Sequence, residues 1–283
     1  MTHVMACIDS SPSSPAVSDY AAWASQRLNA PLTLLHVLDQ EKYPASADLS
    51  GNIGLGSREH LLEELATLDA RRAKLALEHG QHLLEMAQER MIASGAVAPD
   101  LKQRHGHLVE SLSCLQDDIR LLVIGRVGED SKQGANSLGS QIEAVVRAIH
   151  RPILITASHF KKPGKVMLAF DGSATAHKTV EMLASSTLCT GLSVHIVMVG
   201  ADSEDNRKEL EKARCTLVSS GLKVQAEILT GEVETVLHAY QAEHMIDLLV
   251  MGAYGHSRIR QFLVGSTTTT MLRTTALPVL LLR

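Results

Sequence analysis

An α/β protein made of two doubly wound, five-stranded parallel-sheet domains in tandem is the fold this chain predicts, on three observations. Short apolar runs alternate with helical patterns along its 283 residues. The apolar runs are continuous, not alternating, as strands covered on both faces require. And the same series of segments occurs twice in the same order. "HVMACIDSSPSSPAV" (3–17) resembles "KVMLAFDGSATAHKTV" (165–180), "HGHLVESL" (105–112) resembles "TGEVETVL" (230–237), "LLVIGRVG" (121–128) resembles "LLVMGAYG" (248–255), and "RPILIT" (151–156) matches "LPVLLL" (277–282). Four matches in register mark a tandem duplication.

The first copy opens with an apolar strand that ends at Asp9, followed by a helical pattern. It is lengthened by residues around 40–95, where "GNIGLGS" (51–57) reads as a loop. A long amphipathic helix comes next, with Leu61, Leu65, Leu68, Leu75 and Leu83 among its apolar positions. "ASHFKKPGK" (157–165), interrupted by Pro163 and Gly164, separates a first domain at 1–157 from a second at 163–283. In the second copy, strands are expected at 166–170, 193–199, 223–229, 248–251 and 279–282, and helices at 174–185, 204–219, 232–243 and 266–274. Such units are Rossmann-like, of the flavodoxin-like order. Met245, Met251 and Met271 read as core filler, and Cys7 as a small buried hydrophobe.

Composition narrows the function classes. Aromatics are 3% of residues and the net charge is -4, which argues against single-strand stacking platforms and duplex binding. Four scattered cysteines without C-x-x-C spacing disfavour disulfides and cysteine-zinc sites. No apolar run is long enough to span a bilayer and no signal-peptide pattern opens the chain, so a cytoplasmic protein is expected. His79 with His82, and His105 with His107, supply no third ligand by spacing; they read as surface histidines, not a metal site.

The chemistry gathers in "MGAYGHSRIRQFLVGSTTTTMLR" (251–273). Gly252 directly follows a strand, at the sheet edge where doubly wound folds bind ligands. Gly252 and Gly255 admit close approach of a phosphate to the backbone. Gly265 and Ser266 open the next helix, whose free N–H groups and positive dipole end attract an anion. Ser266 and Thr267 add hydroxyls, though threonines also cap helices for purely structural reasons. No P-loop lysine is present; Arg258 or Arg260 could supply positive charge.

These residues resemble the universal stress protein family in its tandem form, whose nucleotide motif is G-2x-G-9x-G-[ST]. Gly252, Gly255, Gly265 and Ser266 match it, with nine residues between the second and third glycines. Asp171, Asp247 and the terminal "LPVLLL" also match. The resemblance implies ATP or a related adenine nucleotide, with Asp171 near the ribose and the Val199 backbone near adenine. It also implies Gly252, Gly255, Gly265, Ser266 and Thr267 around the phosphates, and Mg2+ as a companion of those phosphates. The first copy departs from the motif. Asp9 is kept, but ten residues separate Gly128 from Gly139 and Ser140, Glu129 and Asp130 follow Gly128 directly, and Arg120 replaces the acid seen at Asp247. Asp9, Gly125, Gly128, Gly139 and Ser140 therefore form a degenerate or differently specific site.

Three functions fit this pattern: a regulatory module whose partners or assembly depend on bound ATP, a slow ATPase or nucleotide hydrolase, and a scaffold that has lost nucleotide binding. His256 is the single candidate base near the glycines, and the binding module is the leading reading. The apolar segments 153–155 and 279–282 would each be an exposed edge strand in isolation. The family's dimer pairs these strands, which here implies a pseudo-dimer within one chain; a homodimer of whole chains stays open.

Overall fold

The computed structural model describes residues 2–38, 55–128, 140–252 and 266–283. In the first half, strands β1 (His3–Cys7), β2 (Leu32–Leu38), β3 (Asp100–His105), β4 (Ile119–Gly125) and β5 (Ile153–Thr156) alternate with helices α1 (Ser14–Leu28), α2 (Leu55–Ala93), α3 (Leu108–Cys114) and α4 (Ser140–Ala148). The second half repeats the order. Strands β6 (Lys165–Ala169), β7 (Ser193–Val199), β8 (Lys223–Leu229), β9 (Leu248–Gly252) and β10 (Val279–Leu282) alternate with α5 (Ala174–Ala184), α6 (Glu204–Ser219), α7 (Val233–Glu243) and α8 (Ser266–Thr274).

All ten strands form one sheet, ordered β3-β2-β1-β4-β5-β10-β9-β6-β7-β8. Neighbours are parallel everywhere except at the centre, where β5 and β10 run antiparallel with Leu280 opposite Leu154. The two apolar edges expected to need cover thus cover each other, inside one chain. Side chains alternate across this seam, as strand geometry dictates. Leu154 and Leu280 join the core on the face carrying α1, α2, α5 and α6, while Ile153, Ile155, Val279 and Leu281 join the opposite core under α3, α4, α7 and α8.

Sequence-local signals start and stop several helices. Ser173 and Ser203 cap α5 and α6 by accepting from Ala176 N and Asn206 N, and Glu232 caps α7 through Glu234 N and Thr235 N. Asn29, at φ 46°, ends α1 in the left-handed region.

Two expectations are corrected. The buried stripe of α2 is Ala76, Gly80, Leu84, Ala87 and Met91, whereas Leu65, Leu68 and Leu75 are exposed. Length explains it: 39 residues of helix run about 58 Å, and the seven-residue β2 beneath spans only about 23 Å. The amino-terminal half of α2 has outrun the sheet. Of the three methionines, Met251 and Met271 are buried but Met245 is exposed, because at φ 52° it is the left-handed residue just past α7. Cys7 is half-buried, and burial pushes its thiol up to about 12.

A buried polar chain crosses the second half. Tyr240 donates to Glu227 Oε1 at 3.1 Å, so His195 Nδ1, 3.0 Å from the same hydroxyl, carries the hydrogen of that contact. Burial, reinforced by His244 and Lys165 and opposed by Glu227, lowers the His195 pKa below 6.5. A folded pKa below the unfolded one means that the unfolded chain binds the proton more readily. The expected result is stability that declines as pH falls below 6.5, with a smaller slope in His195→Gln, read from urea midpoints against pH.

Candidate nucleotide crevices at the two sheet rims

Each half has a switch point where strand order reverses: β1 and β4 in the first, β6 and β9 in the second. Helices leave such strands on opposite faces, which opens a crevice at their carboxyl ends. In the second crevice, Asp171 follows β6 and is exposed. Its Oδ1 accepts from Ser173 N at 2.9 Å, and its other oxygen makes no hydrogen bond among the described residues. Gly172 takes φ 72°, a turn that lets α5 start immediately. Val199 closes β7, one strand further along the same rim.

Gly252 ends β9, and α8 begins at Ser266 with Thr267 exposed on its first turn. Thr268 is buried, and its hydroxyl donates to the Gly252 carbonyl at 3.4 Å. That contact holds the amino terminus of α8 against the end of β9. Asp171, Val199, Gly252, Ser266 and Thr267 therefore share one rim; Gly255 and Gly265 lie outside the described residues. Gly252 also has a packing role: a Cβ there would stand 3.1 Å from Thr175 Cγ2 and 3.3 Å from Thr179 Oγ1 of α5.

The first crevice is built differently. Asp9 Oδ1 accepts from Ser11 N at 3.1 Å and Ser11 Oγ at 2.5 Å, with Ser14 Oγ at 2.9 Å. Ser13 donates to the Val127 carbonyl at 2.8 Å, pinning the Gly125–Gly128 turn to the start of α1. A Cβ on Gly125 would collide with Ser13 Oγ, so close helix approach alone requires glycine here. The other Asp9 oxygen lies 3.5 Å from where a Gly128 Cβ would be, which puts negative charge beside the place a phosphate would take. Ser140 opens α4; Gly139 is outside the described residues.

Arg126, between the two glycines, turns away altogether. It reaches across the seam to the carbonyls of Leu272 (3.1 Å), Thr275 and Leu277 (2.6 Å), and so caps the carboxyl end of α8. Burial lowers its pKa from the usual arginine value. The one cation in the first glycine pair serves the other half of the molecule. Its sequence signal was an arginine where the second copy has Ala253.

Asp247 lies at the opposite, amino-terminal end of β9, away from the crevice. It accepts from Gly164 N (2.9 Å) and Lys165 N (3.0 Å) and pairs with Lys161 Nζ at 2.6 Å. Burial alone would raise its pKa, but these donors outweigh it and lower it. Asp247 anchors the connection between the halves.

Comparison with known proteins agrees with this architecture. The family model described as the universal stress protein family matches residues 1–157 and 198–283. A universal stress protein from Synechocystis sp. is 36% identical over 287 residues, covering 100% of both chains. Among solved structures, a universal stress protein from Archaeoglobus fulgidus superimposes with a TM-score of 0.73 at 20% identity, covering 99% of this chain and 98% of that one. A putative universal stress protein from Pseudomonas aeruginosa gives 0.63 at 15%, covering 100% and 93%. With matches in both halves of one ten-stranded sheet and a full-length relative, the chain belongs to the universal stress protein family, with two copies of the fold in tandem.

Proposed function

We propose that this is a regulatory adenine-nucleotide-binding protein of the stress response, acting in the cytoplasm, with ATP held by its second unit (163–283) and a first unit (1–157) that supports it. The observation that carries this reading is the asymmetry of the two rims. In the second, Asp171 keeps a carboxylate oxygen for a sugar hydroxyl, and the amino terminus of α8 stands at the end of β9 with Thr267 exposed. In the first, serines occupy Asp9, its charge abuts the glycine turn, and Arg126 is committed elsewhere.

Asp171 and the Val199 backbone would take the ribose and adenine. Gly252, Gly255, Gly265, Ser266 and Thr267 would hold the phosphates through N–H groups, hydroxyls and the helix dipole. Among the described residues no cluster of three or more His, Cys, Asp or Glu side chains could hold a metal ion, so Mg2+ would arrive with the phosphates.

ATP at a hundred times its Kd should stabilise the native state by about 2.7 kcal/mol. The double change Gly265→Val and Ser266→Ala should abolish both binding and that gain, as read by calorimetric titration and thermal melting. Unchanged affinity in the double variant would remove the phosphate-loop assignment. ADP release that persists at substoichiometric protein and vanishes in His256→Ala would instead establish an ATPase.

A further inference from the structure

A cavity of about 210 Å³ opens at the seam between the halves, on the face that carries α1 and α5. Leu28, Leu121, Leu183, Leu188 and Leu280 make its walls apolar, and among the described residues Arg120 is the one charged residue lining it. We infer that this cavity is a binding site for a small apolar carboxylate, such as an aromatic acid or a short fatty acid, with Arg120 gripping the carboxylate.

The other side of the same seam supplies a template. The duplication places Arg120, just before the "LLV" of β4, where the second copy has Asp247 before the "LLV" of β9. The antiparallel pairing of β5 with β10 relates the two positions by a pseudo-twofold axis. Beside Asp247 the place is filled by the connection between the halves. Phe160 packs edge-on against Tyr20, ring centroids 4.8 Å apart, and Lys161 Nζ lies 2.6 Å from Asp247 Oδ1. An apolar group and a charge opposite to the aspartate plug that side. Among the described residues no counterpart of Phe160 and Lys161 lines the Arg120 side, and the cavity lies there instead. Its complement is an apolar group with a negative charge.

The site is preformed. Arg27 donates to the carbonyls of Leu188 (3.0 Å) and Thr190, and Thr187 donates back to the Arg27 carbonyl at 2.7 Å, fixing the wall that follows α5 to the end of α1. Arg120 spends one N–H on the Leu28 carbonyl at 3.1 Å. A guanidinium has five such donors in a planar fork that matches a carboxylate. Ser186 at the rim accepts from Leu188 N and keeps its own hydrogen for a ligand. The volume falls below the roughly 300–1,000 Å³ of sites for drug-sized ligands, which selects a single ring or a short alkyl chain.

The test uses the full chain, titrated with phenylacetate and hexanoate and followed by ligand-observed NMR, with phenylacetamide and phenethylamine as neutral and cationic counterparts. Both carboxylates should bind, the amide more weakly and the amine not at all. Arg120→Gln should weaken phenylacetate at least about tenfold, Arg120→Lys less so, and neither should change the affinity for phenylacetamide. Met182→Trp, which fills the cavity from α5, should abolish binding of acid and amide while leaving the response to ATP intact. Equal binding of acid and amide, or an Arg120→Gln variant that binds as wild type, would overturn the assignment. So would failure of both acids to bind.

Discussion

Replacing Arg126 with alanine should cost about 2–4 kcal/mol of stability, although the residue sits in a turn and its side chain is only half-buried. Three carbonyls, Leu272 in the last turn of α8 and Thr275 and Leu277 just beyond it, lose a charged donor together, and hydrogen bonds to charged groups contribute about 1.5–3 kcal/mol each without being additive. The negative end of the helix dipole loses its counter-charge as well. For a chain of this size the melting temperature should fall by about 3–7 °C. Arg126→Lys keeps the charge but not the fork, and should recover only part of the loss. Urea unfolding of the three proteins decides it; a wild-type midpoint for Arg126→Ala would mean that the contact across the seam is decorative. The nine residues of α8 link that cap to the rim proposed for phosphates, so weaker ATP binding in Arg126→Ala is expected too.

Leu154→Asp should be more damaging still. Leu154 is fully buried opposite Leu280, at the join that turns two five-stranded sheets into one. A carboxylate there has no partner and no water, a burden of several kcal/mol, and more than about 4 kcal/mol is expected. Leu154→Ala, which leaves a cavity but no charge, should cost about 2–5 kcal/mol and preserve one cooperative transition. If Leu154→Asp instead melts like the wild type, the two halves do not share their central strands in solution.

Which residues form strands and helices was legible because it depends on local pattern. The segments expected as strands at 193–199, 223–229 and 279–282 became β7, β8 and β10, and the helical segments 204–219 and 266–274 became α6 and α8. The apolarity of 153–155 and 279–282 showed that each edge needed cover, and the family resemblance implied that β5 and β10 cover each other, as they do. The pattern did not reveal how far α2 would extend past its support. Periodicity shows which face of a helix is apolar, not whether a sheet continues beneath it, so Leu65, Leu68 and Leu75 remain in solvent. Nor could a window around Met245 show that helix termination places it in a left-handed turn.

The candidate site divides in the same way. Gly252, Ser266 and Thr267 were named from spacing and Asp171 and Val199 from the family resemblance, and they share one rim because all lie where a strand of the repeated unit ends or a helix starts. In the first copy the spacing and the added acids marked a departure, but not its cause: the serines around Asp9, and an arginine bonded to carbonyls about 150 residues away. The chain alone showed the duplication, which segments form strands and helices, and the rim where a ligand would lie, because repetition and local pattern carry them. The tertiary structure decided which charges are already satisfied, which helix end is capped and which half of the seam stays unfilled. Those outcomes depend on partners that meet only after the chain has closed on itself.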